Sequence, residues 1–558
     1  MSKRARIASS LSIALACYGY FCVSGELYLS SDNVMVAVVT NGLFGTAPFC
    51  QYLHPLLCLI IRGASQLLPA ADAFTVLKDI LIFGELALLF YGLTAPLDTP
   101  SLIGKGIKHW QVEHFAILAL AIMADVFLSM GINLWRANYT ITTGSFTAVG
   151  LALLFAGRRF EHRAWTVFCT AYIAAAFMFR KECGLLTVPF FALHIAVDYM
   201  ASPDRRAERR AFCRTTIPAI VIVAVLLASQ TVFNSIEPYA TAKRYSDTRT
   251  TCVDFPMKGW SDTDYPDKAT YQAATDWTFI DTVNLTADTF EAVAKAGSRN
   301  QYELTQSGIR SALMEMRRVA FRTDVYMAVG VVLALLLASL NLIMGKGWRR
   351  VESVLAMLGA FIILFYFTIR GRAPLRVWQP VVFAALVVEA MVYIDSWRAN
   401  TLNIVSILLI AVLLYYSAGQ VIAHAKLHAP VTAWTARIGA DDSEYRDDAL
   451  YIWPNWHGTI PKFFADQNKL PTRRALEHNI AAGDWTYGQP FYNEFLERIG
   501  AANPAEELVE GRAYVMTGSG EIIEEYLKAY YGADIHLAPT GIVIDEQEAY
   551  RVERMNKP

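Results

Sequence analysis

One carboxylate near the start of the chain and two groups of cations far along it are the residues best suited to chemistry. Asp32 stands in Ser31-Asp32-Asn33-Val34-Met35. There it could take a proton from an attacking hydroxyl or help to hold a divalent metal; the alternative is a loop aspartate that caps the following helix. The cations are Arg180 and Lys181, in Phe179-Arg180-Lys181-Glu182, and Arg370, Arg372 and Arg376, in Arg370-Gly371-Arg372-Ala373-Pro374-Leu375-Arg376. Guanidinium forks match phosphate oxygens. The alternative for these residues is snorkelling to lipid headgroups or pairing with acids such as Glu182.

The elements that must position these residues are membrane helices. Of the 558 residues 54% are hydrophobic and only 18% charged, against about a quarter charged in soluble domains. The apolar residues come in blocks of roughly 20, the length that crosses a bilayer. Inside a bilayer only helices and closed barrels satisfy the backbone, and Gly- and Pro-broken blocks of this length read as helices. A net charge of -1 offers no basic surface to nucleic acid. The eight cysteines show no CxxC and no Cys/His ligand spacing, which argues against a zinc site or a disulfide scaffold. Cys50 and Cys252 both fall in predicted outer loops, where a bridge between them is open.

Lys3, Arg4 and Arg6 place the N-terminus on the cytoplasmic side. An uncleaved first helix then runs outward over about 7–29. The stretch 53–68, interrupted by His54-Pro55, Arg62-Gly63 and Gln66, is amphipathic and is expected on the outer interface. Further spans are predicted at about 74–96, 113–131, 140–157, 164–179, 183–199, 216–234, 323–344, 352–369, 376–395 and 401–420, giving about eleven in all. On this scheme the inner loops carry Arg158, Arg159, Arg205, Arg206, Arg349 and Arg350. The predicted architecture is an all-α polytopic membrane protein. A transmembrane module over 1–423 has outer loops at 30–70 and 234–318, and a small α/β extracytoplasmic domain covers 424–558. Arg180, Lys181, Arg370, Arg372 and Arg376 sit at outer span ends, against the positive-inside bias, and so need an anionic partner or a water-filled site. Within spans, Lys78, Asp79, Glu85, Asp125, Glu389 and Asp395 are scattered without a clear relay, which favours helix–helix polar contacts over an ion path. The aromatic and acidic residues of 234–318 suit either sugar binding or a folded loop with its own core, and the second reading is favoured for most of them.

Together these pieces resemble the GT-C superfamily of membrane glycosyltransferases, and more closely a group of uncharacterised GT-C-like polytopic proteins of Gram-positive bacteria. The resemblance rests on the Asp32–Pro55 loop, Arg180–Pro189, the Arg249…Asp254…Trp277…Asp281 loop and Gly371–Arg376. It implies transfer of a sugar from a polyprenyl-phosphate donor to a glycan or lipid acceptor of the cell envelope, at the outer face of the cell membrane. Asp32 becomes catalytic, as base or acceptor positioner. Arg180, Lys181, Arg370, Arg372, Arg376, His54 and Asp254 become substrate-binding. Many members of the superfamily carry paired acids, whereas Asn33 follows Asp32 here. The second ligand of a divalent metal would then come from Glu237 or Asp254; otherwise the enzyme works without metal. The competing readings are a transporter or flippase of a lipid-linked or small polar substrate, with a cavity at mid-membrane, and a non-catalytic envelope assembly protein.

Overall fold

The structure is a computed structural model that describes residues 3–24, 31–69, 72–94, 117–118, 120–122, 124–126, 139–160, 163–254, 266–297, 301–323, 325–396, 412, 449–454, 473–483, 485–516, 520–544 and 547–555. The chain opens with α1 (Lys3–Ser24), passes through two short helices, α2 (Ser31–Thr40) and α3 (Pro55–Leu67), and enters α4 (Ala73–Leu93). Then come α5 (Tyr139–Phe160), the long α6 (Arg163–Ala201), α7 (Arg205–Ala211), a π-helical turn (Phe212–Thr216) and α8 (Ile217–Phe233). An insertion of α9 (Tyr239–Val253), α10 (Lys268–Thr275), α11 (Ala287–Ala296) and α12 (Gln306–Phe321) precedes α13 (Val325–Met344), α14 (Trp348–Ile369) and α15 (Leu375–Ser396).

Among the described residues, five helical runs are long and apolar enough to cross a membrane: Thr166–Ala201, Arg205–Phe233, Met327–Met344, Trp348–Ile369 and Leu375–Ser396. All but one residue of the predicted span 401–420 lies outside the described residues, as does much of 113–131. The segment at 30–70, expected on the outer face with one interfacial helix, holds a second helix as well, because the Val-rich run after Asp32 folds as α2.

The first of the five runs turns back on itself at Arg180, whose backbone is extended (φ -162°, ψ 99°) inside an otherwise helical stretch. Gly150 of α5 packs on Cys169 and Ile173, and Tyr139, at the start of α5, meets Arg180, so the first leg runs antiparallel to α5. The second leg starts at Cys183, near Arg376 at the start of α15. It ends at Asp198, beside Arg349 at the start of α14 and sharing that arginine with Asp395 at the end of α15. The second leg is therefore parallel to α15. Gly144 packs on Pro380, near the start of both helices, which makes α15 parallel to α5. Gly144 is a required glycine, since a Cβ there would come within 2.3 Å of Pro380. The reversal matches the sequence division into 164–179 and 183–199, and it delivers Arg180 and Lys181 to one end of the bundle.

Polar caps fix the connections at that end. Pro55 opens α3 because its missing N–H is not needed at that position. His54 caps the helix by accepting from the Leu56 N–H (3.1 Å). The His54 N–H donates to the Met178 carbonyl (2.7 Å), tying this loop to the turn at Arg180. Asp72 caps α4 by accepting from Phe74 and Thr75, and it also accepts from Asn41 (2.9 Å).

The same end carries a head. Its C-terminal part contains β1 (Leu450–Pro454), α16 (Arg473–His478), β2 (Asn479–Ala482), α17 (Pro490–Arg498), α18 (Pro504–Val509), β3 (Ala513–Met516), α19 (Gly520–Tyr531), β4 (Ile535–Ile544) and β5 (Gln547–Arg554). The five strands form one sheet in the order β2-β1-β3-β5-β4, with β1 parallel to β2 and β3, and β5 antiparallel to β3 and β4. This is the expected small α/β unit. It shares one aromatic core with the insertion and the first loop. Tyr487 packs on Tyr245 and Phe279, and Phe44 packs on Phe491, Tyr492 and Phe495. Asp281, fully buried, accepts from Tyr526 (3.1 Å) and Tyr531 (2.9 Å) of α19. The favoured sequence reading of 234–318, a folded loop with its own core, holds, and that core extends into the C-terminal segment.

Candidate functional site

A cavity of about 390 Å³ opens where the helical bundle meets the head. Its walls come from six separated stretches: the loop before α3, Thr140 at the start of α5, the turn in α6, the end of α8 with α9, the α14–α15 turn, and Gln489 of the head. Arg180, Lys181, Arg372, Arg376 and Asp254 all line it, so five of the seven predicted substrate-binding residues converge.

Arg180 is the most firmly held cation. It donates to the Tyr139 hydroxyl (2.7 Å) and to the Thr140 hydroxyl (3.1 Å). Its guanidinium lies over the Tyr52 ring, 4.5 Å from the centroid, and Glu182 stands 3.8 Å away. Stacking on two tyrosines and bonding to neutral hydroxyls fix it in place, and its ion pair with Glu182 is long and involves a mostly exposed carboxylate. Tyr52 is in turn packed edge-on against Trp485 of the head, at 5.0 Å. Arg372 donates to Asp254 (2.9 Å), and each of these side chains keeps 21% of its surface exposed. The positive-φ Gly371 (φ 73°) makes the turn that brings Arg372 back over the bundle end. The lining holds five basic side chains (Arg180, Lys181, Lys243, Arg372, Arg376) and three acidic ones (Glu182, Asp247, Asp254), an excess of positive charge. Tyr239 also faces the cavity, and burial pushes its hydroxyl up, so at neutral pH it is a donor.

Two predicted substrate contacts lie elsewhere. His54 is buried against α8, with Nε2 at 2.9 Å from the Ser229 hydroxyl and 3.1 Å from the Leu226 carbonyl, while Nδ1 caps α3. Burial lowers its pKa. The neutral ring both accepts at Nδ1 and donates at Nε2, so His54 is a structural capping residue. Arg370 caps the end of α14 and does not line the cavity.

Asp32 falls in the first turn of α2, not in an open loop. The next residue, Asn33, accepts from the Tyr139 N–H (3.1 Å), and the Tyr139 hydroxyl accepts from Arg180. The backbone at Asp32 is thus one side chain away from the residue that holds Arg180. The proposed second metal carboxylates are otherwise engaged, Asp254 by Arg372 and Glu237 by the Thr241 hydroxyl (2.9 Å). Among the described residues no three His, Cys, Asp or Glu side chains gather as a metal site requires. The Cys50 thiol is hydrogen-bonded to Cys58, and Cys252 is a separate buried free thiol, so the bridge left open by the sequence is not formed here.

A second charged cluster occupies the opposite end of the bundle. Arg349 bonds to Glu352 (2.7 Å), Asp395 (3.1 Å) and Asp198, and His194 bonds to Glu352. Farther along α15, Glu389 accepts from Asn341 (2.7 Å) and from the Ser353 hydroxyl (2.6 Å). Among the carboxylates predicted within spans, Asp395 and Glu389 are therefore helix–helix contacts, as favoured from the sequence. The residues that sequence reasoning missed are Tyr52, Lys243 and Gln489 of the cavity lining, and Tyr139, which holds Arg180. Tyr139 carried a signal, as the first residue of a helix at the end where Arg180 needed a partner. Gln489 carried none, since only tertiary packing brings it there.

No protein-family model matches the chain, and no match was found among curated proteins.

Proposed function

We propose that the chain is a membrane glycosyltransferase that moves a sugar from a polyprenyl-phosphate donor to a cell-envelope acceptor at the extracytoplasmic face. In this reading about eleven helices cross the membrane, the N-terminus is cytoplasmic and the head is extracytoplasmic. The observation that carries the reading is the convergence of Arg180, Lys181, Arg372 and Arg376 on a water-accessible cavity at the end of the bundle. The start of α2 lies close by, through Asn33 and Tyr139.

The chemistry follows from that layout. The acceptor hydroxyl oxygen attacks the anomeric carbon, and its proton passes to the Asp32 carboxylate. The bond from the anomeric carbon to the phosphate oxygen breaks, and its electron pair leaves with the lipid phosphate. Negative charge grows on that phosphate as the bond lengthens. Cations already in position stabilise it without reorganisation. Arg180, fixed by two tyrosines, is preorganised for this role, while Arg372 would exchange part of its contact with Asp254 for a phosphate oxygen. Tyr239 and Gln489 offer neutral donors to the sugar or the acceptor.

Transport is the second reading, and it calls for a cavity and ionisable groups at mid-membrane. The cationic cavity at the end of the bundle, and the pairing of Glu389 with Asn341 and Ser353, favour transfer. The test is turnover of a lipid-linked sugar by purified protein carrying Asp32→Ala or Arg372→Ala. Loss of transfer by about a hundredfold or more is expected for Asp32→Ala, with a smaller loss for Arg372→Ala. Full activity in both variants removes the assignment.

A further inference from the structure

A second concavity, lined almost wholly by apolar side chains, lies on the flank of the bundle. Helix α12 rests on α13 and α14 near the head end, where the Tyr302 N–H donates to the Ile369 carbonyl (2.9 Å). Beneath it is a groove of about 280 Å³. Trp378, Val382 and Ala385 of α15 form its floor, and Leu335 and Phe361 stand on its two sides. Leu335 and Phe361 are each 46% exposed on helices that are long and apolar enough to cross a membrane, so the groove opens toward the hydrocarbon.

The helix above the groove is built for a bilayer boundary. One face of α12 is buried through Ala312, Met316, Val319 and Ala320. The rest of the helix surface exposes Leu313, Met314 and Phe321, interleaved with Arg310 and Arg317, and Leu313, Arg317 and Phe321 border the groove itself. Arg310 and Arg317 are seven residues apart, two helical turns, and so project from one side. Large apolar side chains alternating with arginines on one helix face fit the headgroup boundary, where the rings and methyls enter the acyl region and the guanidinium groups meet phosphates. Among the described residues neither Arg310 nor Arg317 has an acidic partner, whereas the neighbouring Arg318 is bonded to Glu315 (2.6 Å). Arg317 is itself the polar residue at the rim of the groove.

We propose that this groove and the α12 arginines form a binding site for an anionic diacyl phospholipid of the surrounding bilayer. One acyl chain lies in the groove over Trp378, and the headgroup phosphate sits between Arg310 and Arg317. The occupant is a phospholipid because its two parts are matched here in the order a bilayer presents them: cations at the level of the interfacial helix, and an apolar trough directly below. The preference for a negative headgroup follows from two arginines that no carboxylate among the described residues neutralises. The site uses none of the cations of the candidate active site, so it stands or fails separately from the transferase reading.

The experiment is native mass spectrometry of the purified full chain, titrated with dioleoyl-phosphatidylglycerol and, separately, dioleoyl-phosphatidylcholine. Phosphatidylglycerol is expected to bind about tenfold tighter or more. Arg310→Gln/Arg317→Gln is expected to reduce it to the level of phosphatidylcholine, while Arg310→Lys/Arg317→Lys keeps most of the preference. Leu335→Trp, which fills the groove from an exposed position, is expected to weaken both lipids. Thermal unfolding within a degree or two of the unaltered protein shows that these surface variants are folded. Equal binding of the two lipids overturns the proposal, as does a preference that survives the double Gln substitution. Displacement of phosphatidylglycerol by farnesyl phosphate would assign the groove to a prenyl chain and would overturn it as well.

Discussion

The two ends of the helical bundle use the same residue types to opposite effect. At the end away from the head, Arg349 meets three carboxylates, Asp198, Glu352 and Asp395, within an enclosed cluster that also holds His194. At the head end, Arg180, Lys181, Arg372 and Arg376 surround an open cavity in which basic side chains outnumber acidic ones five to three. In the first cluster charge is cancelled by protein and joins α6, α14 and α15. In the second, the cations are held by tyrosine rings, hydroxyls and ion pairs with Glu182 and Asp254 that are partly exposed, and they line a cavity open to a ligand. An arginine predicted to lie against the positive-inside bias therefore points to a site when its carboxylate partners are partly exposed beside an open cavity rather than enclosed.

The largest expected effect would come from the enclosed cluster. Arg349→Ala leaves Glu352, Asp198 and Asp395 without their shared cation and should cost about 3–5 kcal/mol of stability. Thermal unfolding in detergent reads this as a large fall in midpoint or as loss of folded protein. Arg372→Ala removes one member of a partly exposed pair and should cost about 1 kcal/mol or less. If the two variants unfold alike, the distinction between an architectural and a ligand-binding cluster collapses.

Phe44→Ala sharpens the comparison without touching a charge. Phe44 is 2% exposed and sits among Phe491, Tyr492 and Phe495, so its loss should cost about 3–5 kcal/mol. The head would loosen at the wall that supplies Gln489. The expected outcome is lower stability together with weaker ligand binding, measured by unfolding and by titration of the same sample. Weakened stability with unchanged binding would mean that the head does not shape the cavity.

The smallest effect should come from a group remote from both clusters. Glu524 of α19, despite the desolvation that opposes it, is held at about 2 by hydrogen bonds from Lys528, the Leu537 N–H and His536. Because the folded value is depressed from an ordinary 4.5, its contribution is complete above about pH 4.5 and is lost as pH falls toward 2. The difference in unfolding midpoint between the unaltered chain and Glu524→Gln should therefore shrink steadily across that window. A difference that stays constant from pH 6 to pH 2 would contradict the assignment.

Much of the architecture was legible because bilayer thickness and charge bias act on short, contiguous stretches. The division at Arg180 is an example: a three-residue charged interruption, Arg180-Lys181-Glu182, in a run of 39 helical residues marks the reversal. The convergence of Arg180 with Arg372 was legible from a shared disagreement with the same bias. His54 was misassigned because its motif, histidine before proline, is also a helix cap, and only the positions of Ser229 and Leu226 tell the two apart. The thiol near Cys50 was missed because residues facing each other across a turn into α3 carry no compositional mark. The union of the insertion with the C-terminal sheet was likewise hidden. Asp281 and Tyr526 are joined by tertiary packing across a long stretch of chain, and neither sits in a recognisable pattern.

The most direct test of the central claim is equilibrium binding of farnesyl phosphate and of farnesol to the purified chain, with and without Arg372→Gln/Arg376→Gln. The two ligands share a tail and differ in the phosphate. The account predicts that the phosphate adds about tenfold or more to affinity in the unaltered protein, and that this increment disappears in the double variant while farnesol binding stays the same. Equal affinity for the two ligands in the unaltered protein, or a phosphate increment that persists in the double variant, would contradict it.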